Sequence, residues 1–204
     1  MKKTNLLILL GLLLLLTSCS SFKAERVDSD ESDERSLEIT DQWNQRDTEK
    51  VVKEILGSIK THKGFQRYLR HHGKTPTVFI SNVQNLTSEA YFPINDINDE
   101  FLNEISASGD FILIDAASRE ALLKEITYQH DGMVDPSTAK KVGRQTGADL
   151  LIFGNVYKKP STRKGKTIKQ YAVNIRMTDL EKGIEVLRTR SKLSKYSEQS
   201  GSGW

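Results

Sequence analysis

Residues 166–193 read KTIKQYAVNIRMTDLEKGIEVLRTRSKL, and this stretch decides the fold. Tyr171, Val173, Ile175 and Met177 occupy every second position, the period of a strand with one buried face. Asp179-Leu180-Glu181-Lys182-Gly183 is turn chemistry, and residues 184–193 return as a neighbouring antiparallel strand. Upstream, DLLIFGNV at 149–156 is a further strand. Phe111 to Ile114 is short and wholly apolar, as suits a strand buried on both faces. TVFISNV at 77–83 is rich in β-formers and reads as the first strand. Helical patterns fill the gaps. Asp47 is a plausible N-cap for the stripe Val51, Val52, Ile55, Leu56 and Ile59. Phe65, Tyr68 and Leu69 suggest a further short helix stopped by Gly73 and Pro76. Ile97, Phe101 and Ile105 recur on a second helix that ends near Gly109. Leu122, Leu123 and Ile126 mark a third, and Asp135-Pro136 with Gly147 bracket a fourth. The order αβαβααβββ predicts an α/β fold. A single mixed β-sheet, a crossover parallel pair plus an antiparallel meander, carries helices packed on it over residues 47–196.

The chain has 204 residues, 37% hydrophobic, with a net charge of +3. That suffices for one domain plus tails, and the charge is too mild to argue for nucleic acid. One cysteine, Cys19, excludes an internal disulfide framework and a Cys-based zinc cage. Met1-Lys2-Lys3 followed by an aliphatic run from Leu6 to Leu16 is an export signal, too short to span a bilayer. It ends in Leu16-Thr17-Ser18-Cys19, which resembles the bacterial lipobox. Residues 1–18 are therefore expected to be removed and Cys19 to be lipidated. Several acyl chains, palmitate among them, give stable membrane anchoring. Ser20 after the cysteine points to the outer membrane. Residues 19–46 are expected to form the lipidated Cys and a disordered acidic tether. Glu25, Asp28, Asp30, Glu31, Asp33, Glu34, Glu38 and Asp41 face few basic residues there, and little is apolar. Trp43 either staples the first helix or lies exposed. Residues 197–204 read as a flexible Gly/Ser tail.

A search for catalytic or metal-binding constellations finds none. His62, His71, His72 and His130 have no spacing that places two ligands on one face beside a carboxylate, and are expected to be solvated. Gly165-Lys166-Thr167 lacks the earlier glycine of a phosphate loop, since Pro160 stands there, and a strand follows it. Asp110 and Asp115 flank a strand, and Asp115 reads as a helix start. No cofactor, metal or enzymatic activity is expected. Residues 158–195 carry about twelve basic side chains against three acidic ones. The excess concentrates in an expected long connection, with Lys158, Lys159, Arg163, Lys164 and Lys166 as candidate partner contacts. Two readings stay open, a solvated face or a docking surface for an acidic partner. No aromatic residues interleave as nucleic-acid binding would require. The acidic tether also has the charge to fold back onto this patch and screen it.

Several motifs carry a family resemblance. Val78-Phe79-Ile80-Ser81-Asn82-Val83-Gln84-Asn85 ends in an N-x-x-N pattern, and Ser108-Gly109-Asp110-Phe111 leads into a strand. Glu120-Ala121-Leu122-Leu123-Lys124-Glu125 and Met133-Val134-Asp135-Pro136-Ser137-Thr138-Ala139 follow. Gly147-Ala148-Asp149-Leu150-Leu151-Ile152-Phe153-Gly154 closes the set. Together they resemble the LpoB family of penicillin-binding-protein activators. The last motif is also similar to the N-terminal domain of TolB and to CsgG, so the fold is expected to be TolB N-terminal-domain-like. The resemblance implies an outer-membrane lipoprotein facing the periplasm. It would regulate peptidoglycan synthesis by binding and allosterically activating a class A penicillin-binding protein. The alternative is an accessory lipoprotein of an envelope or secretion assembly. Gly147 and Gly154 read as structural. The tether departs from the family pattern, being short, acidic and Pro-free.

Overall fold

Alternation along the meander gives the sheet its two faces, and the elements around it follow from which face they cover. This computed structural model describes residues 24–114 and 147–199. The chain divides into two units, residues 1–32 and 33–204. In chain order the helices are α1 (Ser29–Ile39), α2 (Gln45–Thr61), α3 (Lys63–His72) and α4 (Ile94–Ser108). The strands are β1 (Thr77–Leu86), β2 (Ile112–Leu113), β3 (Leu150–Arg163), β4 (Lys166–Asp179) and β5 (Ile184–Glu198). They form one sheet in the order β2-β1-β3-β4-β5. β1 is parallel to both β2 and β3, and β3, β4 and β5 are antiparallel. The expected mixed sheet of crossover parallel strands and meander is what the structure shows. The expected helices around Leu122 and after Asp135, with Asp115 and His130, lie outside the described residues. So do residues 1–18, Cys19 and the terminal Trp204.

One face of the sheet holds the main core. Val78, Ile80, Leu150, Ile152, Val156, Val173, Ile175 and Met177 point to α2 and α4, which bury Val52, Ile55, Ile59, Ile97, Phe101 and Ile105 against them. Each such side chain contributes about 1.5–3 kcal/mol when removed from water. A second, smaller cluster of Phe79, Ala148, Leu151 and Leu180 is separate from it.

Local chemistry fixes the helix ends. Asn44, not Asp47, is the N-cap of α2. Its side chain accepts the Asp47 N–H at 2.9 Å while Asp47 Oδ2 accepts the Asn44 N–H at 2.9 Å, a capping box with Asp47 at N3. Trp43 therefore stands just before the cap. It is buried and its indole N–H donates to Thr48 Oγ1 at 2.8 Å, the staple position. Gly73 and Gly109 end α3 and α4 at φ +75° and +66°.

Three expectations on the chain's organisation are corrected. The stretch expected to be a disordered tether contains α1. No residue of α1 is buried, so burial does not make it. Asp28 Oδ1 accepts the Glu31 N–H at 2.9 Å, and Asp30 and Glu31 complement the dipole of the first turn. At its other end, Asn44 Nδ2 donates to Asp33 Oδ1 at 2.6 Å and to Ser36 Oγ at 2.8 Å. The expected long connection at 158–166 is instead a continuation of β3 and β4 joined at Lys164 and Gly165. Both residues have positive φ (50° and 73°), the type I′ turn that matches strand twist. Pro160 is tolerated because β1 ends at Leu86, opposite Tyr157, leaving β3 a neighbour on one side only. Finally, β5 runs through Ser197 and Glu198, where the sequence suggests a loose tail.

Candidate functional site

The glycine-flanked motif at 147–154 is a structural joint. Asp149 Oδ2 accepts the Thr77 N–H at 2.8 Å and lies 3.2 Å from His72 Nε2. Asp149 N–H donates to Thr77 O, and Leu180 N–H to Asp149 O, so one residue ties the starts of β1 and β3 to the end of β4. Tyr68 OH lies 3.3 Å from His72 Nδ1, and burial together with the Asp149 charge pushes the Tyr68 phenol up. His72 is thus half-enclosed and partnered rather than solvated, in a cavity of about 250 Å³ with Asp179 and Lys182 on its walls. His62 accepts the Gly64 N–H to start α3, and His71 bonds the Arg67 carbonyl. No group of three or more His, Cys, Asp or Glu residues among those described is arranged to hold a metal ion. Gly147 sits at φ +69°, and a Cβ at Gly154 would lie 2.3 Å from the Asn174 carbonyl oxygen. Both motif glycines are structural, as expected.

The N-x-x-N pattern organises the loop after β1. Asn85 Oδ1 accepts the Thr87 N–H and hydroxyl, and Asn85 Nδ2 donates to the Glu89 carbonyl. That loop aims Glu89 at Lys158, whose Nζ approaches Oε1 to 2.5 Å. Lys158 is therefore spent inside the fold, only 15% exposed, and is not a surface candidate.

The remaining basic residues divide by strand parity. On the helix-bearing face, Lys169 pairs with Asp41 at 2.7 Å and Lys195 with Asp47 at 2.6 Å. Part of the acidic segment does fold onto the meander, through Asp41. The second face carries Phe153, Asn155, Tyr157 and Lys159 on β3, Asn174 and Arg176 on β4, and Arg188, Arg190 and Lys192 on β5. Register pairs put Asn155 opposite Asn174 and Asn174 opposite Arg190. Asn174 Nδ2 donates to Asn155 Oδ1 at 2.8 Å, and Arg190 Nε donates to Asn174 Oδ1. The Arg190 guanidinium lies 5.8 Å from the Tyr157 ring centroid, and Arg176 lies 5.8 Å from that of Phe153. Leu86, 55% exposed, is paired with Tyr157 on the same face. Arg188 is turned onto Glu185, and its guanidinium holds that carboxyl below the usual range. Two arginines set over aromatic rings beside exposed Leu86 suit a protein–protein contact, where Arg and aromatic residues dominate.

Of the candidates named from sequence, Lys159, Arg163 and Lys164 are exposed at the far end of this hairpin, and Lys166 pairs with Glu198 at 3.4 Å. Sequence reasoning misses Tyr157, Arg176 and Arg190. Counting every second residue from Tyr171 assigns Arg176 to this face, but not its register against Arg188 and Phe153.

A sequence profile described as "Peptidoglycan-synthase activator LpoB" matches residues 47–192. The chain belongs to the LpoB family. Among solved structures, the LpoB C-terminal domain from Escherichia coli is similar at 12% identity and TM-score 0.50, covering 75% of this chain and 99% of that one. The LpoB C-terminal domain from Salmonella enterica is 14% identical at TM-score 0.44, covering 63% and 90%. The lipoprotein GNA1162 from Neisseria meningitidis is 15% identical at TM-score 0.43, covering 62% and 88%. At 12% identity the likeness to the Escherichia coli domain concerns the fold alone. No curated protein matches the sequence. The LpoB match contains most of α2 and most of the meander, and both arginine–aromatic pairs lie within it. Asp41 and Trp43 lie before it.

Proposed function

We propose that this protein is an outer-membrane lipoprotein, anchored through Cys19 and facing the periplasm, that docks on a class A penicillin-binding protein and raises its activity. The observation that supports this is the second face of the meander, where Arg190 lies over Tyr157 and Arg176 over Phe153 beside exposed Leu86. Family membership supplies the partner class, a peptidoglycan synthase. The protein acts without chemistry of its own. It binds the active synthase conformation more tightly than the idle one, and shifts the equilibrium by that difference alone. Lys159, Arg163, Lys164 and Lys166 extend the basic face toward the hairpin tip and steer the acidic partner in.

The test is binding kinetics between this protein and the synthase at two salt concentrations. Replacing Arg176 and Arg190 by Glu should slow association at least tenfold, flatten its salt dependence and abolish stimulation. Unchanged association would overturn the assignment of this face. Affinity capture of the lipidated protein from envelope extract separates the partner classes. Recovery of a class A synthase supports the reading, and recovery of secretion components in its place supports the alternative assembly role.

A further inference from the structure

Between the end of α1 and the N-cap Asn44, residues 40–43 belong to no helix or strand, yet they are bound to distant parts of the fold. Three consecutive residues bind by three kinds of chemistry. The Asp41 carboxylate accepts from Lys169 Nζ at 2.7 Å and from Ser197 Oγ at 2.7 Å. The Gln42 main-chain carbonyl accepts from Lys195 Nζ at 2.7 Å. The Trp43 indole is 7% exposed, with Phe92 and Tyr171 edge-on at 5.3 and 5.1 Å.

Apart from Thr48, which receives the indole N–H, these partners come from far away in the chain. Lys169 and Tyr171 stand on β4, Lys195 and Ser197 on β5, and Phe92 before α4. They form a cleft with an aromatic socket at one end and two sunken ammonium groups at the other. Lys169 is 13% and Lys195 5% exposed. Among the described residues Asp41 is the carboxylate paired with Lys169, so emptying the cleft leaves a largely buried cation without its anion. Acid, main-chain acceptor and aromatic anchor in a row is how an extended peptide ligand is held, with the anchor in a desolvated pocket.

We propose that this cleft is a peptide-recognition site for an acid-x-Trp segment, and that its resident ligand is the chain's own Asp41-Gln42-Trp43. Covalent continuity with α2 gives the resident segment a high effective concentration, so the site is filled in cis. Residues 41–43 thereby dock on the helix-bearing face, opposite the face that carries Arg176 and Arg190. An acidic, Trp-bearing peptide from another chain enters only where the resident has left. This inference stands independently of which partner the second face takes.

The test uses the full chain and a labelled peptide of residues 36–44, SLEITDQWN. The Trp43→Ala protein should bind this peptide saturably. The wild-type protein, whose own Trp43 competes, should bind it at least tenfold more weakly. A peptide carrying Trp43→Ala, or the protein carrying Lys169→Glu as well, should each lose binding at least tenfold. A folded Trp43→Ala protein that binds neither peptide, or both alike, overturns the proposal. Should that variant not fold, Lys169→Glu in the otherwise unaltered chain is the second arm. Amide exchange over residues 40–43 should then quicken at least tenfold while β4 stays protected, and unchanged exchange there overturns the proposal.

Discussion

Gly154 and Gly57 make a pair of substitutions whose effects should have opposite signs. At Gly154 a Cβ would stand 2.3 Å from the Asn174 carbonyl oxygen and 2.6 Å from Ile175 Cδ1. Carbon and carbonyl oxygen meet comfortably at about 3.3 Å, so β3 and β4 would have to separate by about 1 Å in mid-ladder. Overpacking of this kind costs about 1–3 kcal/mol. Because the obstructing atom is main chain, Gly154→Ala belongs at the upper end. The stiffer unfolded chain returns about 0.4–1 kcal/mol, leaving a net loss of about 2 kcal/mol. At Gly57, exposed in mid-α2, an added methyl would meet nothing within 4 Å, and Gly57→Ala should stabilise by up to about 1 kcal/mol. Urea unfolding followed by far-ultraviolet circular dichroism measures both, and at this chain length 2 kcal/mol lowers Tm by about 4–8 °C. The Gly154 variant should also bind its partner more weakly, since Asn155, Asn174 and Arg176 flank the separation. A loss below about 0.5 kcal/mol at Gly154, or the same sign at both sites, would refute the packing argument.

Lys195→Met should cost about 3 kcal/mol in the same assay, because it leaves Asp47 charged and enclosed with only its capping bond. The Asp41 carboxyl is held below its ordinary value by the hydrogen bond from Lys169, so its contribution is present above about pH 4 and lost as the pH falls further. Asp41→Asn should therefore lower Tm at neutral pH, and the gap from wild type should close in acid; a constant gap would count against the pairing. Cys19→Ala should release the protein from membrane pellets or leave it unprocessed, and fatty-acid labelling that persists in the variant would exclude Cys19 as the anchor.

The sheet is legible because its information is local. Every-second-residue alternation from Tyr171 to Met177 and the turn at 179–183 specify a meander without knowledge of anything distant. The hairpin tip is hidden by charge and by Pro160, which suggest a loop. Lys164-Gly165 carries the turn signal, but the loop signals outweigh it. The segment before α2 is illegible for another reason. Composition reports correctly that α1 buries nothing, yet Asp41 and Trp43 are ordered by Lys169, Ser197 and Tyr171, more than a hundred residues away. The second face is half legible, since parity assigns Arg176 and Arg190 to a side whereas their placement over Phe153 and Tyr157 depends on register across three strands.

The meander also sets an order of assembly. β3 and β4 close across two residues, and β4 and β5 across a short turn, contacts that form on the microsecond scale of hairpins. The parallel pairing of β1 with β3 instead joins residues 72 apart, Thr77 and Asp149, at a larger loop-closure cost. The surface that bears Arg176 and Arg190 should therefore form early in folding, and the joint at Asp149 late. Substitutions in β4 should slow refolding, whereas those at the β1–β3 seam should chiefly hasten unfolding.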